Sequence, residues 1–111
     1  MSGPTASSER RRVVVTGMGM VTALGNDLPT SWAGLVGGRS GIRTIEAFDP
    51  SRLTSKIAGE ARGFDASGLL DRKELRRTDR YIQFGLVAAR EALDQAGLSG
   101  GSRGSSPNGP A

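Results

Sequence analysis

The chain has 111 residues, room for one small domain at most. It has no cysteine and no histidine, which excludes, within these residues, a cysteine nucleophile, a Cys/His metal site, a Ser/His triad and any disulfide. Fifteen Lys and Arg against eleven Asp and Glu leave a net charge of +4, which weakly favours acidic or phosphorylated partners, while no apolar run approaches the ~18 residues of a membrane span.

In chain order, residues 1–10 lack periodicity and read as a flexible tail. Val13, Val14, Val15 and Thr16 form a continuous β-branched run after Arg10, Arg11 and Arg12, the pattern of a short buried strand stopped by Gly17. Asp27 is placed to cap a helix with Pro29 in its first turn. Leu28, Trp32, Leu35 and Val36 then share one apolar face, and Gly37-Gly38 ends the helix. Residues 39–53 read as loop, residues 56–61 as a weak strand, and residues 64–70 as a turn or two of helix. The strongest helix spans residues 72–96, with Leu75, Ile82, Leu86, Ala89, Leu93 and Ala96 on one side and Gly97 as its stop. Phe84, Val87 and Ala88 lie off that stripe. The middle of the helix is thus apolar nearly all round, which predicts burial between layers. Residues 99–111 read as disordered, because nine of the last twelve are Gly, Ser or Pro.

Three motifs compete for a function. Gly17-Met18-Gly19 opens like a dinucleotide-binding loop, but the third glycine falls on Thr22. The nearest acidic residue of the right kind, Glu46, is too far on, and the helix starts only at Asp27. Arg10 to Arg12 followed by an apolar run resembles a secretion signal, but Gly17, Gly19, Thr16 and Thr22 interrupt it and a capped helix follows. Lys73, Arg76, Arg77 and Arg80 are spaced to share one helix face opposite Leu75 and Ile82. Five bases and three acids between positions 71 and 80 give that segment a local charge of +2. It reads either as a solvated face, with Glu74 and Asp79 nearby, or as a docking patch for an anionic partner. Nucleic acid is the weakest such partner, since Trp32, Tyr81, Phe48, Phe64 and Phe84 are too few aromatics for a base-stacking surface. Asp65, Asp71 and Asp79 read as caps and counter-charges, so no catalytic residue, cofactor site or metal site is assigned.

The segment from Arg11 to Gly19, followed by Gly25-Asn26, resembles the opening of the β-ketoacyl-acyl-carrier-protein synthases. The likeness continues through Ser31-Trp32, Leu35, Gly38, Ser40-Gly41-Ile42, Phe48-Asp49 and Ile57-Ala58-Gly59. Arg72-Lys73-Glu74 to Asp79, then Ile82-Gln83-Phe84-Gly85, resembles the elongating type II members in particular, although polyketide ketosynthases share much of this opening. The resemblance spans residues 11–98. It implies an α/β chain forming the opening part of the first half of a thiolase-like layered fold, with residues 13–16 as its first core strand. It also implies a cytoplasmic homodimeric acyltransferase of fatty acid biosynthesis, with no cofactor. Such an enzyme joins an acyl chain, held on a cysteine, to malonyl carrier protein with loss of carbon dioxide, assisted by two histidines.

These 111 residues stop short of that cysteine and those histidines, and the glycine-rich end stands where another core strand is expected. The chain therefore looks truncated, and alone it is expected to be inactive and to fold poorly. Lys73, Arg76 and Arg77 correspond to the positions where the family docks its acidic acyl carrier protein. Arg72 and Arg80 correspond less securely. The rival readings are a polyketide ketosynthase fragment and a non-enzymatic module that binds an acidic partner through the basic helix.

Overall fold

The computed structural model describes residues 10–98. The expected tails, residues 1–10 and 99–111, lie outside that range except for Arg10. The elements are α1 (Leu28–Val36), β1 (Ile42–Thr44), β2 (Ile57–Gly59), α2 (Arg72–Arg77) and α3 (Arg80–Ala96).

Helix α1 forms as its sequence dictates. Asp27 adopts extended backbone and accepts a hydrogen bond from the N–H of Thr30 at 2.8 Å, with Pro29 in the first turn. Gly37 and Gly38 close it by donating to the carbonyls of Ala33 and Leu35. Its inward face is not the expected one. Ser31 and Gly34 are buried, whereas Trp32, Leu35 and Val36 are exposed. The small residues face the turn formed by residues 22–25, where the Oγ1 of Thr22 lies 2.7 Å from the Oγ of Ser31.

Residues 57–59 form a strand as expected, and their partner lies inside the segment read as loop. Strand β1 pairs antiparallel with β2 in the register Ile42↔Gly59, Arg43↔Ala58, Thr44↔Ile57. Ile45 extends the ladder by donating to the carbonyl of Lys56 at 2.9 Å. Three residues with no alternation carry no strand signal of their own; pairing across the intervening loop makes them one.

Residues 13–16 are not a strand. They pair with no described strand, and Val13 is 92% exposed. The following residues cross α3 instead. The N–H of Met18 donates to Oε1 of Gln95 at 2.7 Å, and that of Met20 to Oε1 of Glu91 at 3.0 Å. Glycine is required at the crossing. A Cβ at Gly17 would strike the carbonyl oxygen of Ala92, and one at Gly19 that of Ala88. These two glycines bring the backbone against a helix.

The single helix expected over residues 72–96 is broken. Thr78 and Asp79 have extended backbone between α2 and α3, so Leu75 belongs to a different helix from Ile82. Helix α3 ends as expected at Gly97, whose φ of 78° is left-handed. It is not buried all round, since none of its residues is buried. Its partly covered face is Ile82, Gln83, Phe84, Val87, Ala88, Glu91, Ala92 and Ala96, while Leu86, Ala89 and Leu93 point outward. Among the described residues only Ser31, Gly34 and Ala66 are buried.

Candidate functional site

Helix α2 carries the three basic residues singled out in the sequence. Its start is a full capping box. Asp71 accepts from the N–H of Glu74 at 2.8 Å, and Glu74 accepts from the N–H of Asp71 at 3.3 Å. Asp71 and Glu74 are thereby turned to the backbone at the helix N-terminus. Arg76 and Arg77 occupy the last turn, where the helix dipole favours positive charge. Leu75 is half-buried, and Lys73, Arg76 and Arg77 lie on the opposite, exposed side. Among the described residues the ion pairs are Arg62–Glu46, Arg62–Glu60 and Arg90–Asp94, so none of the three bases of this face is neutralised by a neighbour.

Arg80 leaves the group. The break at residues 78–79 places it on α3, where it donates to the carbonyl of Ala61 at 3.2 Å. Its guanidinium lies 5.4 Å from the centre of the Phe64 ring and 5.1 Å from that of Phe84. Those rings meet edge to face at 4.8 Å. The charge of Arg80 holds the loop before α2 rather than extending the basic face.

Beside Arg80 an open cleft of about 430 Å³ is lined by Glu46, Glu60, Arg62 and Gly63 among others. Glu60 accepts from the N–H groups of Glu46 and Ala47 at 3.0 and 3.1 Å, and pairs with Arg62 at 3.2 Å. Donation by the Glu46 and Ala47 backbone, with Arg62 adding attraction, holds its carboxyl below the usual range. Arg62 also bonds Glu46 and the carbonyl of Thr44. This network ties β1 to the segment after β2. Sequence reasoning missed it because its partners lie 13 to 18 residues apart in loop-like sequence.

The N-terminus of α1 offers no phosphate cradle. The N–H of Leu28 donates to Oε2 of Glu91 at 2.7 Å, and that of Thr30 is held by Asp27. Two carboxylates thus occupy the place where an anion would sit. Among the described residues no cluster of three acidic, cysteine or histidine side chains is arranged to hold a metal ion.

Residues 10–108 match the family model for the β-ketoacyl synthase N-terminal domain. Over 90 residues, 81% of this chain and 22% of the relative, the chain is 44% identical to the 3-oxoacyl-[acyl-carrier-protein] synthase 2 of Coxiella burnetii. It is 39% identical over 101 residues, 90% of this chain and 21% of the relative, to the chloroplastic synthase I of Arabidopsis thaliana. The ishigamide ketosynthase/chain length factor superposes with a TM-score of 0.72 at 38% identity, over 80% of this chain and 22% of that one. The chain spans about a fifth of the length of the curated relatives it matches. The glycine crossing, the helix that follows and the basic helix beyond it belong to a member of the β-ketoacyl synthase family, matched here over residues 10–108.

Proposed function

We propose that the chain is the opening part of an elongating, type II 3-oxoacyl-acyl-carrier-protein synthase, and that its own task is to receive the acidic carrier protein on Lys73, Arg76 and Arg77. The observation that carries this reading is the exposed basic face of α2, free of ion pairs among the described residues, in a chain 44% identical to synthases whose names specify a carrier protein. Aligned cations steer an acidic partner, raising its on-rate and fixing its register. The decarboxylative condensation itself belongs to a cysteine and two histidines outside these 111 residues, so the chain alone turns over no substrate. A homodimeric assembly in the cytoplasm goes with the same proposal.

One observation supports a second reading, a ketosynthase of a polyketide-type pathway: the likeness to the ishigamide ketosynthase/chain length factor. A chimera separates the two. Residues 10–98 replace the corresponding segment of the Coxiella burnetii synthase, and the folded product is assayed for condensation with fatty-acid and polyketide carrier proteins. The first reading predicts turnover with the fatty-acid carrier, reduced by Lys73→Glu. Turnover confined to the polyketide carrier favours the second. A folded but inactive chimera contradicts both.

A further inference from the structure

Helix α2 has six residues and no buried side chain. A helix so short is not stable by itself, and its capping box fixes only its start. Only Leu75 of its side chains is partly covered, so its setting on the rest of the chain rests largely on its other end. In an unbroken helix the carbonyl of Leu75 would accept from the N–H of Asp79. Here the chain is extended at Thr78 and Asp79, and the side chain of Gln83, half-buried on the first turn of α3, takes that place. Its Nε2 lies 3.2 Å from the carbonyl oxygen of Leu75, 3.1 Å from that of Thr78 and 3.2 Å from Oγ1 of Thr78. Three oxygens around one terminal atom identify it as the amide nitrogen. Thr78 Oγ1 also reaches back to the carbonyl of Glu74 at 2.9 Å, so one neutral donor ties the end of α2 to the start of α3.

We infer that Gln83 is the positioning residue of the docking helix: by satisfying the carbonyls exposed at the break, it fixes α2 on α3 and sets the orientation in which Lys73, Arg76 and Arg77 meet an acidic partner. The inference rests on the docking reading above. Gln83 carries no charge and touches no partner, so its effect is preorganisation of a face whose charges lie elsewhere. A carboxylate at this position would face three oxygens, and an apolar side chain would leave two carbonyls without their donor.

The test uses the full 111-residue chain, an acyl carrier protein as the probe, and the variants Gln83→Met, Gln83→Glu and Lys73→Glu. Affinity is measured across a salt series, and amide exchange is followed at residues 75–79. Gln83→Met and Gln83→Glu are expected to weaken binding by roughly threefold to tenfold, and to speed exchange at residues 75–79 without speeding it across α3. Gln83→Met should leave the steepness of the salt dependence unchanged, whereas Lys73→Glu should flatten it. Parent-like affinity and exchange in both Gln83 variants overturn the inference. Faster exchange throughout α3 reduces Gln83 to a general fold contact and also overturns it. If the parent chain binds no carrier protein, the docking reading fails with its positioning corollary, and unchanged exchange at residues 75–79 would separately refute the tie between the helices.

Discussion

At Gly17 and Gly19 the backbone lies so close to α3 that a single added methyl would strike the carbonyls of Ala92 and Ala88. Gly19→Ala is therefore expected to destabilise the chain by about 1–3 kcal/mol or to lift residues 17–20 off α3. Faster amide exchange at Met18 and Met20 reads either outcome, and unchanged exchange contradicts it. Glu91 secures the same crossing with both oxygens, accepting from Met20 and from Leu28 at the head of α1. Glu91→Ala leaves those donors without their acceptor, at a cost of about 1–3 kcal/mol in denaturant unfolding. Glu60 makes a prediction in pH. The backbone donors of Glu46 and Ala47, and then Arg62, favour its ionised form and lower its pKa in the folded chain. The stability this supplies is present above the ordinary carboxylate pKa and is lost as pH falls through the lowered value. Glu60→Gln should therefore flatten the acid side of the stability profile and leave its slope at neutral pH unchanged.

The elements whose signals are local were legible in the sequence. Asp27, Pro29 and Gly37-Gly38 announced the ends of α1, Gly97 that of α3, and Asp71 with Glu74 makes the box that opens α2. What failed depended on distant partners. A β-branched run is a strand only beside another strand, and none is described next to Val13, Val14 and Val15. The apolar stripe of residues 72–96 gave no hint of the break at Thr78, because the side chain that accommodates it, Gln83, looks in sequence like any polar helix residue. The basic face was accordingly read one residue too long. Lys73, Arg76 and Arg77 remain together on α2, while Arg80 turns to Phe64, Phe84 and Ala61. Since α2 depends on its caps, Asp71→Ala should cost it about 1 kcal/mol. The loss should appear as faster exchange at residues 73–75 and weaker carrier binding, although no charge of the basic face has changed.

Across the whole molecule, apolar surface lies open. Fifteen large apolar side chains among the described residues are exposed, from Val13, Val14 and Val15 through Trp32, Leu35 and Val36 to Leu86 and Leu93. Met18, Met20, Leu28, Pro29 and Trp32 line an apolar cleft of about 410 Å³. No described helix is long and apolar enough to cross a membrane. Surface of this kind favours association. The isolated chain should bind a hydrophobic dye and show an apparent mass above 11.5 kDa that rises with concentration. A dye-silent monomer would contradict this. None of these exposed apolar residues lies on the basic helix α2. The most direct measurement is the affinity of acyl carrier protein for the 111-residue chain and for its Lys73→Glu, Arg76→Glu double variant, titrated at low and raised salt. Saturable binding that weakens with salt and is lost in the double variant is the predicted result. Equal affinity in parent and variant would contradict the assignment of carrier docking to α2.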